Sequence, residues 1–367
     1  MSPENTALKD IFFSEDFVLH LAGDLAAVYP DFERDAFLDC ALSEGLSDMA
    51  LKEKMHHVTV CLHDVLPEEY AKTLRLLLAV APNYPTFDGM VFSDYVGRYG
   101  LHDWDRSLPA LRELTRYVSA EFAIRPFLRH DHRRAMPTLY EWAADADPAV
   151  RRLASEGSRP RLPWGMALPA FKRDPSPVLP ILERLKDDPS EDVRRSVANN
   201  LNDIAKDNPD IVLDLAGRWI GSSEEVDRLV KHACRTLLKA GDVRAMRLFG
   251  FAEPAAVRVS DLAVRPADPR IGDDIQFSYT LEVQSADPLL LRLEYIMTFA
   301  RARGKQSSKV FHHREGEFQP GSHTIRKKHS FRDLSTRNHY PGEHRIEIVI
   351  NGVIKERIML QLGPAAK

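Results

Sequence analysis

The spacing of apolar residues changes once along the chain, near Pro254, and this change limits the folds that the chain can adopt. Up to about residue 252, apolar residues recur at intervals of three and four, and breakers such as "APNYP" and "DDPS" separate the helical segments. After Pro254, apolar and polar residues alternate, as in the run from Ile275 to Val283. The sequence therefore predicts a helical domain over residues 1–254 and a strand-rich domain over residues 255–367.

Three of the helical segments resemble one another and indicate a repeat. They open at Asp145, Asp187 and Ser222, and in each a polar cap is followed by a valine and arginine. The valines Val150, Val193 and Val226 are 43 and 33 residues apart. Repeats of about 33–47 residues are typical of α-solenoids, whose units stack to bury their apolar faces. We therefore expect a HEAT-like α-solenoid, with an irregular helical bundle as the alternative.

Seven short runs after Pro254 have the pattern of strands, and together they predict an immunoglobulin-like β-sandwich. The pair Asn351-Gly352 lies between the last two runs, "HRIEIVI" and "VIKERIMLQL". Asn-Gly favours the two-residue turn of a β-hairpin because both residues tolerate a positive φ. The predicted class is thus a multidomain α plus β protein, a solenoid followed by a sandwich.

The net charge of -4 is distributed unevenly along the chain. Residues 1–115 hold 9 basic and 20 acidic residues, whereas residues 256–367 hold 18 basic and 13 acidic ones. Such asymmetry is typical of a protein that binds a polyanion with one part of its surface. The alternative is a chance drift of surface charge between domains.

Several classes of protein are excluded by what the sequence lacks. No apolar run reaches the ~18–20 residues of a membrane span, and the acidic start does not resemble a signal peptide. Three distant cysteines, Cys40, Cys61 and Cys234, argue against a disulfide framework and a zinc module. The paired histidines His56 and His63 have no evident third metal ligand. We expect a cytoplasmic protein with no metal and no cofactor.

Arginines and carboxylates recur at four-residue spacing between Thr115 and Asp203. Glu121 with Arg125 and Arg152 with Glu156 are such pairs, and Arg195, Asn199 and Asp203 form a column on one predicted helix. By helical geometry this column faces away from the buried stripe. Pairs of this kind are common surface features. Three of them on helices that line one concave wall instead suggest a site that binds DNA phosphates around a few carboxylates.

The motifs "EFAIRPFL", "RRLASEGSRPRLPWG" and "DPSPVLPILERLKDDPSEDVRRSVANNLNDIAKD" resemble the bacterial AlkC family of alkylpurine DNA glycosylases, relatives of the AlkD proteins with HEAT-like repeats. The resemblance covers most of the helical region and is strongest from Glu121 to Pro209. An immunoglobulin-like domain in part of the family matches the strand-rich region. The resemblance implies base excision repair of 3-methyladenine, 3-methylcytosine and 1-methyladenine in duplex DNA, without base flipping, near the bacterial nucleoid.

Within this resemblance, Glu156 is the first choice for the carboxylate that stabilises an oxocarbenium-like sugar and positions water, with Glu121 and Asp203 as companions. Trp164 is expected to pack against the deoxyribose or the cationic base, or else to fill a gap between repeats. The expected DNA contacts are arginine and asparagine side chains: Arg125, Arg152, Arg159, Arg161, Arg194, Arg195, Asn199 and Asn202.

Two basic stretches, residues 301–309 and 326–330, would let the sandwich grip the duplex from the other side, or are ordinary surface loops. No lysine is placed for Schiff-base chemistry, so we expect a monofunctional glycosylase. The expected partner is duplex DNA containing alkylated bases, and a solenoid that wraps DNA needs no dimer, so we expect a monomer. The competing hypothesis is a non-catalytic HEAT-repeat scaffold that binds DNA or a protein.

Overall fold

Helices occupy the chain up to Leu248 in the computed structural model, which describes residues 8–43, 45–333 and 338–365. They are α1 (Leu8–Ile11), α2 (Glu15–Val28), α3 (Arg34–Ala41), α4 (Leu51–Val65), α5 (Tyr70–Val80), α6 (Met90–Tyr99), α7 (Trp104–Leu114), α8 (Ile124–Trp142), α9 (Pro148–Gly157), α10 (Pro169–Arg173), α11 (Leu179–Leu185), α12 (Glu191–Ile204), α13 (Pro209–Trp219), α14 (Glu224–Ala233), α15 (Arg235–Ala240) and α16 (Val243–Leu248). None of these described helices is long and apolar enough to cross a lipid bilayer.

The three similar segments of the sequence form α9, α12 and α14, and α12 packs against both of the others. At the start of α9 the Asp147 carboxylate accepts a hydrogen bond from the Ala149 amide at 2.8 Å. At α14 the Ser223 hydroxyl accepts the Val226 amide at 3.2 Å, whereas the Ser190 side chain before α12 makes no capping hydrogen bond, so the predicted caps are present on two of the three helices. The predicted apolar stripe of α12 is buried: Val193, Val197, Leu201 and Ile204. Because repeated helices stack through such stripes, the prediction of a HEAT-like solenoid is confirmed.

Contacts divide the described residues into two compact units. The first unit holds the chain up to Val212 together with Trp219–Ala233, and the second holds Leu213–Arg218 and the chain from Cys234 onward. Helices α15 and α16 therefore group with the strand-rich region. The change from helix to strand lies between Leu248 and Val257, and the division at residue 255 stays a prediction.

The second unit contains a β-sandwich, as the alternating runs predict. Its strands are β1 (Val257–Arg265), β2 (Asp274–Val283), β3 (Leu289–Ala300), β4 (Gln306–Phe318), β5 (Gly321–Ser330), β6 (Gly342–Ile350) and β7 (Val353–Leu362). One antiparallel sheet has the order β1-β2-β5 and the other β4-β3-β6-β7. Alternate residues of β2, Ile275 to Val283, are buried in the sandwich core. The prediction of an immunoglobulin-like sandwich is confirmed.

The hairpin between β6 and β7 turns at Asn351 and Gly352, as predicted. Their φ angles are +46° and +81°, so both residues occupy the left-handed region that this turn requires. Asn351 also fixes the turn against β3, because its amide oxygen accepts the Arg292 backbone N–H at 2.7 Å. At Gly352 an added Cβ would lie 2.4 Å from the Cα of Gly241. Two backbones thus meet where only glycine fits.

The two basic stretches of the sandwich are not loops throughout, so that expectation is wrong in part. Residues 306–309 begin β4 and residues 326–330 end β5. Arg326 and Lys328 are exposed, and both lie on the same face of β5, an edge strand of its sheet. Residues two apart on a strand lie on the same face of the sheet. The basic stretches contain too few residues for this alternation to be recognised in the sequence.

Cys40 and Cys61 form a disulfide, with 2.11 Å between their sulfur atoms, which corrects the expectation from the cysteine count. The two residues are 21 positions apart. They meet because α3 and α4 pack against each other, a contact that counting and spacing of cysteines does not reveal. Cys61 is also buried, which is common for cysteine side chains. Cys234 is buried and free.

The substitution Gly352→Ala is expected to destabilise the second unit by about 2–4 kcal/mol. A left-handed φ disfavours alanine, and its Cβ would press on the Gly241 backbone. Urea unfolding followed by circular dichroism measures the loss. Gly304→Ala is the matched control, because Gly304 has a φ of +70° and open space around it, so it should lose only about 1–2 kcal/mol. Equal losses in the two variants would contradict the backbone clash.

Candidate active site

A cleft of about 510 Å³ opens on the first unit. It is formed by the segment before α6, the turn between α7 and α8, the end of α9 and the segment that follows α9. The residues that line it are Pro85, Thr86, Phe87, Met90, Tyr117, Val118, Ser119, Glu121, Phe122, Glu156, Arg159, Leu162, Pro163 and Trp164. Three of the four predicted catalytic residues, Glu121, Glu156 and Trp164, are therefore brought together in one cleft.

Charged side chains alternate in sign from this cleft into the protein. Arg152 bridges two carboxylates, with Nη1 at 3.1 Å from Glu121 Oε2 and Nη2 at 3.9 Å from Glu156 Oε1. Arg159 continues the series, with Nη1 at 2.7 Å from Glu156 Oε1 and Nε at 2.9 Å from Asp203 Oδ2. Lys206 ends it with an ammonium 3.0 Å from Asp203 Oδ1. We call these six residues the charge chain: Glu121, Arg152, Glu156, Arg159, Asp203 and Lys206.

The inner members of the charge chain are buried. Glu156, Arg159 and Asp203 are 5%, 6% and 1% exposed. Buried charges are tolerated when they are paired and hydrogen-bonded. Burial acts to lower the pKa of Arg159, but the neighbouring Glu156 and Asp203 carboxylates outweigh it and hold this pKa above its ordinary value.

Hydroxyl groups complete the hydrogen bonds of the carboxylates. Ser196 on α12 donates to Glu156 Oε2 at 2.6 Å, and Ser119 donates to Glu121 Oε2 at 2.8 Å. Sequence reasoning missed both serines. Ser119 lies two residues before Glu121, but Ser196 is 40 residues from Glu156, and no local pattern marks it. With these donors in place, the orientation of each carboxylate at the cleft is fixed.

The four-residue spacings predicted the ion pairs only in part. Arg152 and Glu156 do approach each other, whereas Glu121 pairs with Arg152 and not with Arg125. The column on α12 is also not a single outward face: Arg195 is exposed and pairs with Glu191, but Asp203 is buried. The neighbouring repeat covers the C-terminal end of α12 and supplies Arg159, and a single-helix argument does not include that neighbour.

Arg125 is fully buried, so its predicted contact with DNA phosphate is wrong. Its Nε donates to the Met166 carbonyl at 2.6 Å, and its Nη1 donates to the Gly157 carbonyl at 2.9 Å. Burial, together with the nearby Arg159 charge, lowers the pKa of Arg125 to about 10. Arg125 therefore supports the segment that follows α9. Asn202 is also buried, which contradicts its predicted contact with DNA. Arg159, another predicted DNA contact, is buried as well and forms ion pairs with Glu156 and Asp203.

The other predicted DNA contacts lie at the surface. Arg161 pairs with Asp207, and Asn199 contacts His232. Arg194 and Arg195 line a second concavity of about 540 Å³ between α12 and α14. Sequence reasoning missed two residues that line the same concavity, Arg228 and His232. Both residues lie on α14, in the repeat that follows the one containing Arg194 and Arg195. The similarity of the segment that opens at Ser222 to the preceding repeat could have identified them.

Trp164 is 60% exposed at the rim of the cleft, so it does not fill a gap between repeats. Its φ is +61°, and the Gly165 amide donates to the Leu162 carbonyl at 3.2 Å. Pro163 and Trp164 thus occupy the central positions of a tight turn whose second position favours glycine. A bulky residue held in this region stores about 1–3 kcal/mol of strain, which is typical of functional sites.

His56 and His63, the two histidines considered as metal ligands, have other partners, and so does the adjacent His57. His56 contacts Asp94 at 2.8 Å, His63 contacts the Tyr95 hydroxyl at 3.0 Å, and His57 contacts the Cys40 carbonyl at 3.0 Å. Within the described part of the chain, no three His, Cys, Asp or Glu side chains are grouped as metal ligands would be.

The chain is similar to several known proteins. Residues 258–364 match the family described as "Uncharacterised protein YhaZ, C-terminal Ig-like domain", and residues 178–207 match the HEAT repeat. The uncharacterized protein YhaZ of Bacillus subtilis (strain 168) is 42% identical over 356 residues, which is 97% of this chain and 99% of that protein. The chain also resembles a solved structure, "Pseudomonas fluorescens alkylpurine DNA glycosylase AlkC bound to DNA containing an abasic site analog". The TM-score is 0.92, the identity is 39%, and the match covers 97% of this chain and 99% of that one.

Arg159→Met is expected to lower the free energy of unfolding of the first unit by about 3–5 kcal/mol, because Glu156 and Asp203 would be left buried without their shared cation. Urea unfolding measures this loss. Arg195→Met is the control: Arg195 forms an exposed pair with Glu191, and its removal should leave stability almost unchanged. Similar stability in both variants would show that the charge chain is not a structural unit.

Proposed function

The chain belongs to the AlkC family of HEAT-repeat DNA glycosylases, and we propose that it hydrolyses the N-glycosidic bond of alkylated bases in duplex DNA. The observation that carries this proposal is the cleft in which Glu121, Glu156 and an exposed Trp164 meet. A carboxylate pair beside an aromatic face suits a reaction whose transition state places positive charge on a sugar.

The proposed substrates are cationic methylated bases: 3-methyladenine, 3-methylcytosine and 1-methyladenine. When the glycosidic bond of such a base breaks, the electron pair moves to the base and neutralises its charge. Little protonation of the leaving group is needed. The protein has to stabilise the oxocarbenium-like deoxyribose and supply water, and both are tasks for carboxylates.

Glu156 is the proposed catalytic base. Water forms a bond to C1′ as the bond to the base breaks, and its proton passes to the Glu156 carboxylate. Ser196 and Arg159 hold this carboxylate by one hydrogen bond at each oxygen. Glu121 faces the same cleft and adds negative charge near the sugar. Asp203 is not among the described residues that line the cleft, and we propose that it acts by holding Arg159.

Trp164 is proposed to contact the deoxyribose or the cationic base while the base stays in or near the stack. The exposure of Trp164 at the rim supports contact with an intact duplex. A base flipped out of the duplex would instead need a deeper pocket. The reaction consumes only water, so the proposal includes no cofactor. The DNA substrate implies a place at the bacterial nucleoid in the cytoplasm, and we propose a monomer.

Glu156→Gln is expected to reduce the release of free base from duplex DNA containing 3-methyladenine by about 100-fold or more, while the affinity for DNA changes by less than about threefold, because only the proton acceptor is lost. Base release is measured by chromatography, with 3-methylcytosine as a second substrate. Glu141→Gln, an exposed residue of α8, is the control.

Other outcomes of this assay are also informative. Base release by Glu156→Gln at the native rate would move the catalytic role to Glu121 or Asp203. The absence of release by the native protein would favour the scaffold hypothesis. A monofunctional enzyme leaves the strand intact and forms no adduct with borohydride, so a trapped adduct would contradict that part of the proposal.

DNA backbone contacts are proposed for the concavity between α12 and α14 and for the exposed face of β5. Replacing Arg195, Arg228, Arg326 or Lys328 by Ala is expected to reduce the slope of log affinity against log salt by about 0.9 for each phosphate that is no longer neutralised. Fluorescence titration of duplex DNA at several salt concentrations measures the slope. Arg75→Ala on α5 is the control, and a slope unchanged in a test variant excludes that residue from the DNA surface.

A further inference from the structure

Lys52 connects the acidic N-terminal helices to the tryptophan at the cleft. It lies on α4, and its ammonium donates to the backbone carbonyl of Trp164 at 2.8 Å, across 112 residues of sequence. The same ammonium lies over the ring of Phe122, 4.8 Å from the ring centroid. Phe122 and Trp164 both line the cleft. One cation therefore contacts two of its walls.

The segment that carries Trp164 depends on such contacts. Trp164 has a left-handed φ in a turn where glycine is favoured, so the local backbone preference opposes the observed conformation. Three carbonyls, one at the end of α9 and two in the segment that follows it, accept hydrogen bonds from cations. Arg125 donates to those of Gly157 and Met166, and Lys52 donates to that of Trp164. Hydrogen bonds from charged donors are stronger than neutral ones.

The Lys52 ammonium is partly removed from water, which disfavours its charged form. The residue is half-buried, and burial lowers its pKa, with Arg98 adding to this effect and Asp94 opposing it. Asp94 is itself shared between His56 and Arg98. An unconstrained lysine would extend into water, so the contact with the Trp164 carbonyl compensates for lost hydration.

We propose that Lys52 is a positioning residue that holds Trp164 in its left-handed turn, so that the indole is presented at the cleft mouth. The effect on base release rests on the proposed function, but the effect on Trp164 does not. Arg125 is buried and supports the same segment from inside the protein, whereas Lys52 can be replaced without opening a core. This makes Lys52 the better residue for a test.

The test uses the full chain labelled with 5-fluorotryptophan and observed by ¹⁹F NMR. The chain has four tryptophans, and the other three, Trp104, Trp142 and Trp219, are buried. Trp164→Phe assigns the Trp164 resonance. In Lys52→Met, that resonance alone is expected to shift or broaden, and Lys52→Arg, which keeps a cationic donor, is expected to restore it in part.

Lys72→Met is the matched control. Lys72 lies on α5 with its ammonium over the Tyr29 ring at 4.6 Å, so this variant removes a similar cation–aromatic contact away from the cleft and should leave all four resonances in place. Base release under saturating conditions is then expected to fall by about tenfold or more in Lys52→Met, with DNA affinity within about twofold of the native value, because a misplaced indole affects the rate more than binding.

A Trp164 resonance in Lys52→Met identical to that of the native protein would overturn the proposal. So would a shifted resonance with undiminished base release, because Lys52 would then hold the turn without serving the reaction. If the native protein releases no base, the proposed function fails, and the NMR comparison still decides whether Lys52 positions Trp164. If Lys52→Met does not fold, Lys52→Gln takes its place in both assays: a displaced Trp164 resonance with reduced base release would support the proposal, and a native spectrum and rate would overturn it.

Discussion

Arg159 carries one positive charge between two buried carboxylates that come from different repeats. Glu156 lies in the last turn of α9 and Asp203 in the last turn of α12, and the guanidinium is hydrogen-bonded to both. Because an unpaired charge is unfavourable in a protein interior, this contact couples the stacking of the repeats to the geometry of the cleft. The carboxylate that faces the cleft is oriented by the same bond that holds two helices together, so the fold and the site are not separable here.

The fold was largely predictable from the sequence because periodicity reports burial directly. The valine stripe of α12 and the alternating residues of β2 are buried as their spacing predicts. Asn351-Gly352 determines a hairpin because few other pairs adopt two positive φ angles. The grouping of α15 and α16 with the sandwich was not predictable, since it depends on contacts between elements and not on the pattern within one.

The candidate site was predictable as a set of residue types but not as a set of pairs. Glu121, Glu156 and Trp164 do share a cleft. Arg125 nevertheless points inward to backbone carbonyls, and nothing in a single helix distinguishes an arginine that binds phosphate from one that supports a loop. Cys40 and Cys61 illustrate the same limit, because their bond depends on the packing of α3 against α4. Partner choice across the fold is decided by packing, which local spacing does not encode.

The charge chain holds three carboxylates and three cations, so its members sum to zero. This charge balance limits which substitutions are tolerated during evolution. A single substitution that removes a charge from the buried part of the charge chain leaves the neighbouring charge uncompensated. A second substitution that removes this neighbouring charge is then favourable. Replacement of Asp203 by a neutral residue should be accompanied by loss of the charge at Lys206 or Arg159. During evolution these residues are therefore expected to be replaced in pairs of opposite charge. The charge distribution at the cleft would then change by two residues at a time.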